Sequence, residues 1–390
     1  MKKDITRFVD DHADTLLRVS HEIHAHPELA FEEVRASALL ADTAAGFGVP
    51  VERGAYGLDT AFEGRIGSGG GPNVAVLAEY DALPGIGHAC GHNIIATAAL
   101  GAALALNSVK GRFDGTVTFL GTPAEEKGGG KEVMARAGAF EGVDAALMVH
   151  PAGVNLATMP CICVAEVEVI YHGKSAHASA MPHRGINALD GLLLAYQAIS
   201  NLRQHIRDTE RIHGIVTDGG QAPNIVPERA AGDFYVRAKD EEALAQLKPR
   251  VQACFEAGAR GSGCDVEVLW ADVDYLDLNT NEPLAKRFQR HAEGLGRTFE
   301  PLDRQRFGSG STDMGNVSHR VPSIHPILAA APPHVVIHNP EFAKWAASDL
   351  GDRAALDGAK ALALTAADYL AERTLRADAA RAFEVSKQLA

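Results

Sequence analysis

Cysteine is scarce in this chain, and basic residues are outnumbered. Five cysteines are spread over 390 residues. An odd, sparse set argues against a disulfide framework and fits a reducing compartment. Lysine and arginine total 37 against 50 aspartates and glutamates, a formal net charge of -13. Nucleic acid and anionic membranes would repel such a chain, so neither is an expected partner. No apolar run is long enough to span a bilayer. The opening Met1-Lys2-Lys3-Asp4-Ile5 leads into polar sequence rather than an apolar core. No secretory leader is therefore expected, and the expected location is cytoplasmic.

The composition is that of a globular protein, with 46% hydrophobic and 22% charged residues. The length exceeds one ordinary core and predicts two domains, or one large domain carrying an insertion. The segment from Asp4 to Ala25 reads as one amphipathic helix, with Leu16, Leu17, Val19 and Ile23 on its apolar side and Pro27 beyond its end. A repeating pattern follows. Val74-Ala75-Val76-Leu77-Ala78 reads as a buried strand that runs into Glu79, Asp81 and His88-Ala89-Cys90-Gly91-His92, and then into an alanine-rich helix. Thr116 to Leu120 is a second such strand, ending at Pro123-Ala124-Glu125-Glu126 before a helix that starts near Lys131. Ala145 to Val149 is a third, ending at His150. Strand, polar tip and helix in alternation define an α/β sheet, whose site lies outside the carboxyl ends of its strands.

The pattern changes after Val164. Alternating strands near 164–171, 211–216, 230–237 and 266–271, with helices near 187–202 and 242–257, give the order β-α-β-β-α-β. That order predicts a ferredoxin-like α+β domain inserted into the α/β domain. The expected division is 1–164 and 276–390 for the larger domain and 165–275 for the insertion.

Three strand ends thus carry groups that can bind metals. Cys90 and His92 flank a glycine in a turn before a helix, and thiolate and imidazole suit zinc and its neighbours. Glu125 and Glu126 are adjacent at a kink, where one can face a metal and the other a water. His150 closes the third strand, and His338 follows a distant apolar run. The residues leave two chemistries open. One is a metal centre. The other is a nucleophilic Cys90/His92 pair, which gives Glu126, His150 and His338 no role.

The motifs His88-Ala89-Cys90-Gly91-His92-Asn93, Pro123-Ala124-Glu125-Glu126, Gly173-Lys174-Ser175-Ala176-His177-Ala178 and His338-Asn339-Pro340-Glu341-Phe342 together resemble the aminoacylase and glutamate-carboxypeptidase family of dinuclear metallohydrolases. Within it the chain resembles the branch of aminobenzoyl-glutamate hydrolases and auxin-conjugate amidohydrolases. The resemblance implies a metallohydrolase catalytic domain interrupted by a lid domain. It implies two divalent metals, zinc foremost and manganese or cobalt as alternatives, on Cys90, His92, Glu126, His150 and His338. It implies Glu125 as the catalytic acid/base, and His177 as a lid group that reaches the active site of the partner subunit in a homodimer. The segments around Asn224 and Arg237 resemble the family's lid pattern, and an arginine there would bind a substrate carboxylate. The expected substrate is a small amide: an N-acyl amino acid, a dipeptide or an aminoacyl conjugate. A ligand-binding member without catalysis is the alternative of another class. The chain has Glu79-Tyr80-Asp81 where many relatives have His-x-Asp, and Asn93 where close relatives often have Asp. Asp81 is accordingly read as orienting a ligand imidazole. The bridging ligand is left open.

Overall fold

The computed structural model describes residues 1–302 and 310–389. Two compact units are present, one of Met1–Cys161 with Leu278–Ala390 and one of Ile162–Asp277. The first stretch of the larger unit holds helices α1 (Lys2–Asp11), α2 (Ala13–Ala25) and α3 (Val34–Gly46), then strands β1 (Val51–Arg53), β2 (Phe62–Gly67) and β3 (Asn73–Ala78). Helix α4 (His92–Ser108), strand β4 (Thr116–Gly121), helix α5 (Gly130–Arg136) and strands β5 (Ala145–Leu147) and β6 (His150–Ala152) follow. The smaller unit holds β7 (Cys163–His172), α6 (Ala188–Leu202), β8 (Arg211–Asp218), β9 (Arg229–Ala238), α7 (Glu241–Ser262) and β10 (Asp265–Trp270). The chain returns to the larger unit with α8 (Glu282–Gly294), α9 (Met314–Ser318), β11 (Ser323–Ile324), β12 (Ile327–Ala329), α10 (Pro340–Trp345), α11 (Asp349–Ala371) and α12 (Arg373–Leu389).

The larger unit is built on a six-stranded mixed sheet in the order β1-β2-β4-β3-β5-β11. Strand β3 lies parallel to both β4 and β5, and β11 lies parallel to β5. The carboxyl ends of β3, β4, β5 and β11 therefore share one edge, as the α/β pattern requires. Strands β3 and β4 are buried along nearly their whole length. Burial on both faces is why they read as unbroken apolar runs rather than alternating ones. Strands β1 and β2 extend the sheet antiparallel beyond β4. The expected single helix from Asp4 to Ala25 is two helices that break at His12 (φ -113°, ψ 15°). Its apolar spacing runs through the break, with Ile5 and Val9 buried before it and Leu16 and Val19 after.

Helix α4 is buried on every side from His92 to Leu106. A helix apolar all round belongs in the core, and its alanines let neighbours approach closely. Its start is fixed by Gly91, which holds a left-handed φ of 82°. A Cβ there would lie 2.6 Å from Pro151 Cγ and 3.1 Å from Phe342 Cε1. Only glycine suits both the dihedral and the space.

The smaller unit has its strands in the order β10-β7-β9-β8, with every neighbouring pair antiparallel. Val167, Val169 and Tyr171 of β7, Phe234 and Val236 of β9, Leu192 and Ile199 of α6, and Leu247 and Phe255 of α7 form its own core. Strand β8 is an edge strand and mostly exposed. Among the described residues no helix is long and apolar enough to cross a membrane.

An ion network around the buried Asp368 carboxylate ties helices α1, α8 and α11 together. The Asp368 carboxylate of α11 accepts hydrogen bonds from Lys2 Nζ at 2.9 Å, Arg287 Nη1 at 2.5 Å and His291 Nε2 at 2.8 Å. Burial raises the Asp368 carboxyl, but His291, Lys2 and Arg287 outweigh it and hold it below the usual range. Its stabilising contribution is full above the unfolded pKa of about 4 and is lost as pH falls through the lower folded value. Asp368→Asn should cost about 3 kcal/mol at neutral pH, read from the urea midpoint, with a smaller difference below pH 4. Gly91→Ala should destabilise by at least about 1–3 kcal/mol in the same assay.

Candidate metal centre and acid/base site

The edge shared by β3, β4 and β5 gathers the residues that the sequence singles out. Cys90, His92 and His150 lie close enough to offer ligand atoms to one cation, with all contributing atoms within 4.8 Å of one another. The same holds for Cys90, Glu126 and His338, and for His92, Glu125 and Glu126. The His92 and His150 imidazoles are each oriented by a partner on the far side. His92 Nδ1 donates to Asp81 Oδ1 at 3.1 Å, and His150 Nδ1 donates to the Pro151 carbonyl at 2.8 Å. Both rings therefore aim Nε2 inward. His92 Nε2 lies 3.6 Å from Glu79, 3.8 Å from Glu125 and 3.8 Å from Glu126, and His150 Nε2 lies 3.3 Å from Cys90 Sγ. Asp81 also takes the Glu126 backbone N–H at 2.8 Å. One carboxylate thus fixes both a ring and the peptide of a neighbouring strand end.

His338 Nε2 lies 3.5 Å from Glu126 Oε2. Its backbone is left-handed (φ 60°), and its N–H donates to the Ala89 carbonyl at 2.9 Å. Ala124, directly before the glutamate pair, is left-handed too (φ 61°). Positive φ at non-glycine residues is uncommon, and such strain collects at functional sites.

Electrostatics divide the two glutamates. Burial pushes the Glu125 carboxyl well above the usual range, and Glu79 and Glu126 push it further. Burial also raises Glu126, but His92 and His338 pull it back. Burial lifts the Cys90 thiol, with Glu126 adding to the effect. His150 is brought down to about 3 by burial and by His92, so its imidazole is neutral and can act as a ligand. His92 Nε2 and Glu126 Oε1 are buried without a hydrogen-bond partner. Inward-facing orphan atoms beside a thiol suit a cation.

Sequence reasoning missed one part of the site. Lys131 is fully buried at the start of α5, where its ammonium contacts Glu79 and lies 2.7 Å from Asp313 Oδ1. Burial disfavours its charge, but Asp313, Glu79 and Glu125 hold it protonated. Asp313 lies in the stretch Gly310-Ser311-Thr312-Asp313-Met314. It is wholly buried against Lys131. The available signal was Glu79 itself, a carboxylate in an apolar environment that requires a counter-ion.

Three expected residues fall in the smaller unit. The backbones of His177 and Ile225 are bridged, and Ala178 N–H donates to the Asn224 carbonyl at 3.0 Å, so His177 and Asn224 are neighbours. Arg237 is not with them. It lies near the far end of β9, where its Nε donates to His213 Nε2 at 3.2 Å and its guanidinium stands over the Tyr235 ring. From Arg229 to Arg237 the strand runs roughly 26 Å.

Residues 75–366 match the peptidase family M20/M25/M40. The chain is 39% identical to the Xaa-Arg dipeptidase of Mus musculus over all of this chain and 93% of that one. It is 34% identical to one of the subunits of the p-aminobenzoyl-glutamate hydrolase of Escherichia coli, over 72% of this chain and 64% of that one. In fold it resembles a dinuclear metal-binding peptidase of the M20 family from Bacillus subtilis, with a TM-score of 0.70, 22% identity, and coverage of 93% and 99% of the two chains. A putative aminohydrolase from Staphylococcus aureus gives a TM-score of 0.77 at 22% identity, covering 95% of this chain and 100% of that one. The sheet-edge cluster and these matches place the chain in the M20/M25/M40 peptidase family.

Proposed function

We propose that this chain hydrolyses the amide bond of small substrates with a free carboxylate, using two divalent cations and Glu125 as general acid/base. Dipeptides are the first class to test, because the Xaa-Arg dipeptidase likeness runs the whole length of the chain. N-acyl amino acids and aminoacyl conjugates follow. The N-acetyl-L-cysteine deacetylase of Bacillus subtilis is 29% identical over 65% of this chain, and an IAA-amino acid hydrolase of Arabidopsis thaliana 27% over 85%. The observation that carries the reading is the convergence of Cys90, His92, Glu126, His150 and His338 beside Glu125 at one sheet edge.

Cys90, His92, Glu126, His150 and His338 would hold the cations, and a donor set of sulfur, nitrogen and oxygen suits zinc first, with manganese or cobalt acceptable. When bound, the pair would polarise the scissile carbonyl and make an attacking water more acidic. The residues do the rest. Glu125 takes the proton of the attacking water and returns it to the departing nitrogen, which leaves poorly unless protonated. Its raised pKa suits a group that must hold that proton between the two steps. Asp81 keeps the His92 ring and the Glu126 peptide in place while this happens.

His177 is the proposed donor to the developing oxyanion. The Ala180 N–H donates to its Nδ1 at 3.2 Å, so the neutral ring carries its proton on Nε2, as a donor needs. Arg237 is the proposed carboxylate clamp, with two parallel hydrogen bonds, and Asn224 a further substrate contact. His177 and Arg237 lie at opposite ends of β9, a separation that favours a lid serving two sites in a homodimer rather than one substrate touching both groups of one lid. Exposed Leu193 and Leu194 on α6, with Ile215 and Val216 on the edge strand β8, supply apolar surface for that interface. The sparse cysteines favour the cytoplasm.

Elemental analysis should find two equivalents of divalent metal per chain, and a chelator should remove both metal and turnover. Persistence of activity in chelator, with loss on thiol alkylation, would make it a Cys90 hydrolase. Glu125→Gln should lower kcat by about 10²–10⁴-fold with metal content kept. Glu126→Gln should lose metal. Near-wild-type turnover of Glu125→Gln would sink the acid/base assignment.

A further inference from the structure

Glu33 is wholly buried, and among the described residues no cationic side chain pairs with it. Its carboxylate is spent on neutral donors, its own backbone N–H among them. Oε1 accepts the Ala124 backbone N–H at 2.8 Å, and Oε2 accepts the Thr60 hydroxyl at 3.0 Å. Burying a carboxyl on such partners is unfavourable, and burial pushes it up to about 7. The catalytic reading gives it no task.

Its partner is the residue under strain. Ala124 holds φ 61° immediately before Glu125. Alanine avoids that region unless its surroundings impose it. On the other side the Ala124 carbonyl accepts the Gly130 N–H at 3.2 Å, which closes the turn from Pro123 to Gly130. A Cβ on Gly130 would lie 1.9 Å from the Pro123 carbonyl oxygen, so the turn has no slack on that side. Glu33 itself sits on a braced segment. The Glu28 carboxylate takes the N–H groups of Arg35 and Ala36, each at 2.9 Å, and the Ala82 N–H donates to the Glu28 carbonyl at 2.8 Å. The segment from Glu28 to Ala36 therefore links the loop after β3 to the turn after β4.

We propose that Glu33 is the positioning residue for Glu125: it clamps the Ala124 peptide in the left-handed conformation that sets the direction of the Glu125 side chain. The proposal rests on the reading of Glu125 as the acid/base. The Glu33 carboxylate reaches Ala124 and Thr60, whereas the peptide of the proposed ligand Glu126 is held by Asp81, so the loss of Glu33 is expected to act on kcat and to leave KM and metal content in place. Glutamine at position 33 still offers an oxygen to Ala124 and an N–H to the Thr60 hydroxyl. Glycine at position 124 adopts the left-handed conformation without steric cost and needs no clamp.

The test uses the full-length, metal-loaded protein with the dipeptide Ala-Arg and hydrogen exchange of the 122–130 segment. Glu33→Ala should lower kcat by roughly 10–100-fold and speed exchange in that segment, with KM and metal equivalents as in the parent. Glu33→Gln should stay within about threefold of the parent kcat. Glu33→Ala combined with Ala124→Gly should regain at least about tenfold over Glu33→Ala alone. If Glu33→Ala does not fold, Glu33→Asp, which keeps the charge but withdraws the acceptor, takes its place in the same pair. A folded, metal-replete Glu33 variant with parental kcat overturns the proposal, as does failure of Ala124→Gly to restore the loss. If the parent takes up metal but cleaves no dipeptide, while exchange in the segment still depends on Glu33, the substrate reading fails and the clamp stands.

Discussion

Carboxyl groups crowd the carboxyl edge of the central sheet, and the architecture around that edge follows from having to neutralise them. Glu79, Asp81, Glu125 and Asp313 are buried there, with Glu126 beside them. The ammonium among them is that of Lys131. An uncompensated buried charge is too costly to persist, so such a group is paired, protonated or bound to a cation. Lys131 settles Glu79 and Asp313. Asp81 is satisfied by the His92 ring and the Glu126 peptide. Glu125 and Glu126 remain, with Cys90, as the groups whose charge depends on what the site holds. The His92 ring offsets part of that charge, and divalent cations would supply the rest in compact form.

The same constraint explains which parts of the protein were legible in the sequence. Strands β3 and β4 were, because burial on both faces leaves an unbroken apolar run that stops where polar tips begin. Cys90, His92, Glu125, Glu126 and His150 were, because parallel pairing turns three local patterns into one edge. The β-α-β-β-α-β order from Cys163 to Trp270 was visible in the switch to alternating burial along β7. Lys131 and Glu33 were not. Lys131 pairs with Asp313, and Glu33 with Ala124, across spans no local window contains. A lysine at a helix start and a glutamate before a helix are both unremarkable until their burial is known. The break at His12 was hidden for another reason: apolar spacing reports which side faces the core, not whether the backbone is continuous.

Of the four left-handed non-glycine residues among those described, two lie at the proposed site. They are His338, a proposed ligand, and Ala124, which precedes the glutamate pair. Each is held by a hydrogen bond from its own N–H, His338 to the Ala89 carbonyl and Ala124 to Glu33. Ala89 adjoins Cys90, so the bond at His338 also sets the spacing between a late ligand and an early one. Backbone strain of this kind fixes directions that side-chain rotamers alone leave open.

Adjacent residues rarely perform different tasks in one site, and the turn at Ala124 explains how Glu125 and Glu126 do so. In an extended continuation of β4 the two side chains would alternate across the sheet, one of them pointing away from the site. The left-handed residue instead starts a turn in which both stay at the edge but face different neighbours. Glu125 faces Glu79 and Asp313, where burial and like charge favour its protonated form. Glu126 faces Cys90 and His338; burial raises its carboxyl too, but the His92 and His338 imidazoles offset part of the rise. A proton carrier needs the first environment and a metal ligand the second. The difference between the two glutamates is therefore produced by the turn at Ala124, held by Glu33, and by Asp81, which holds the Glu126 peptide separately.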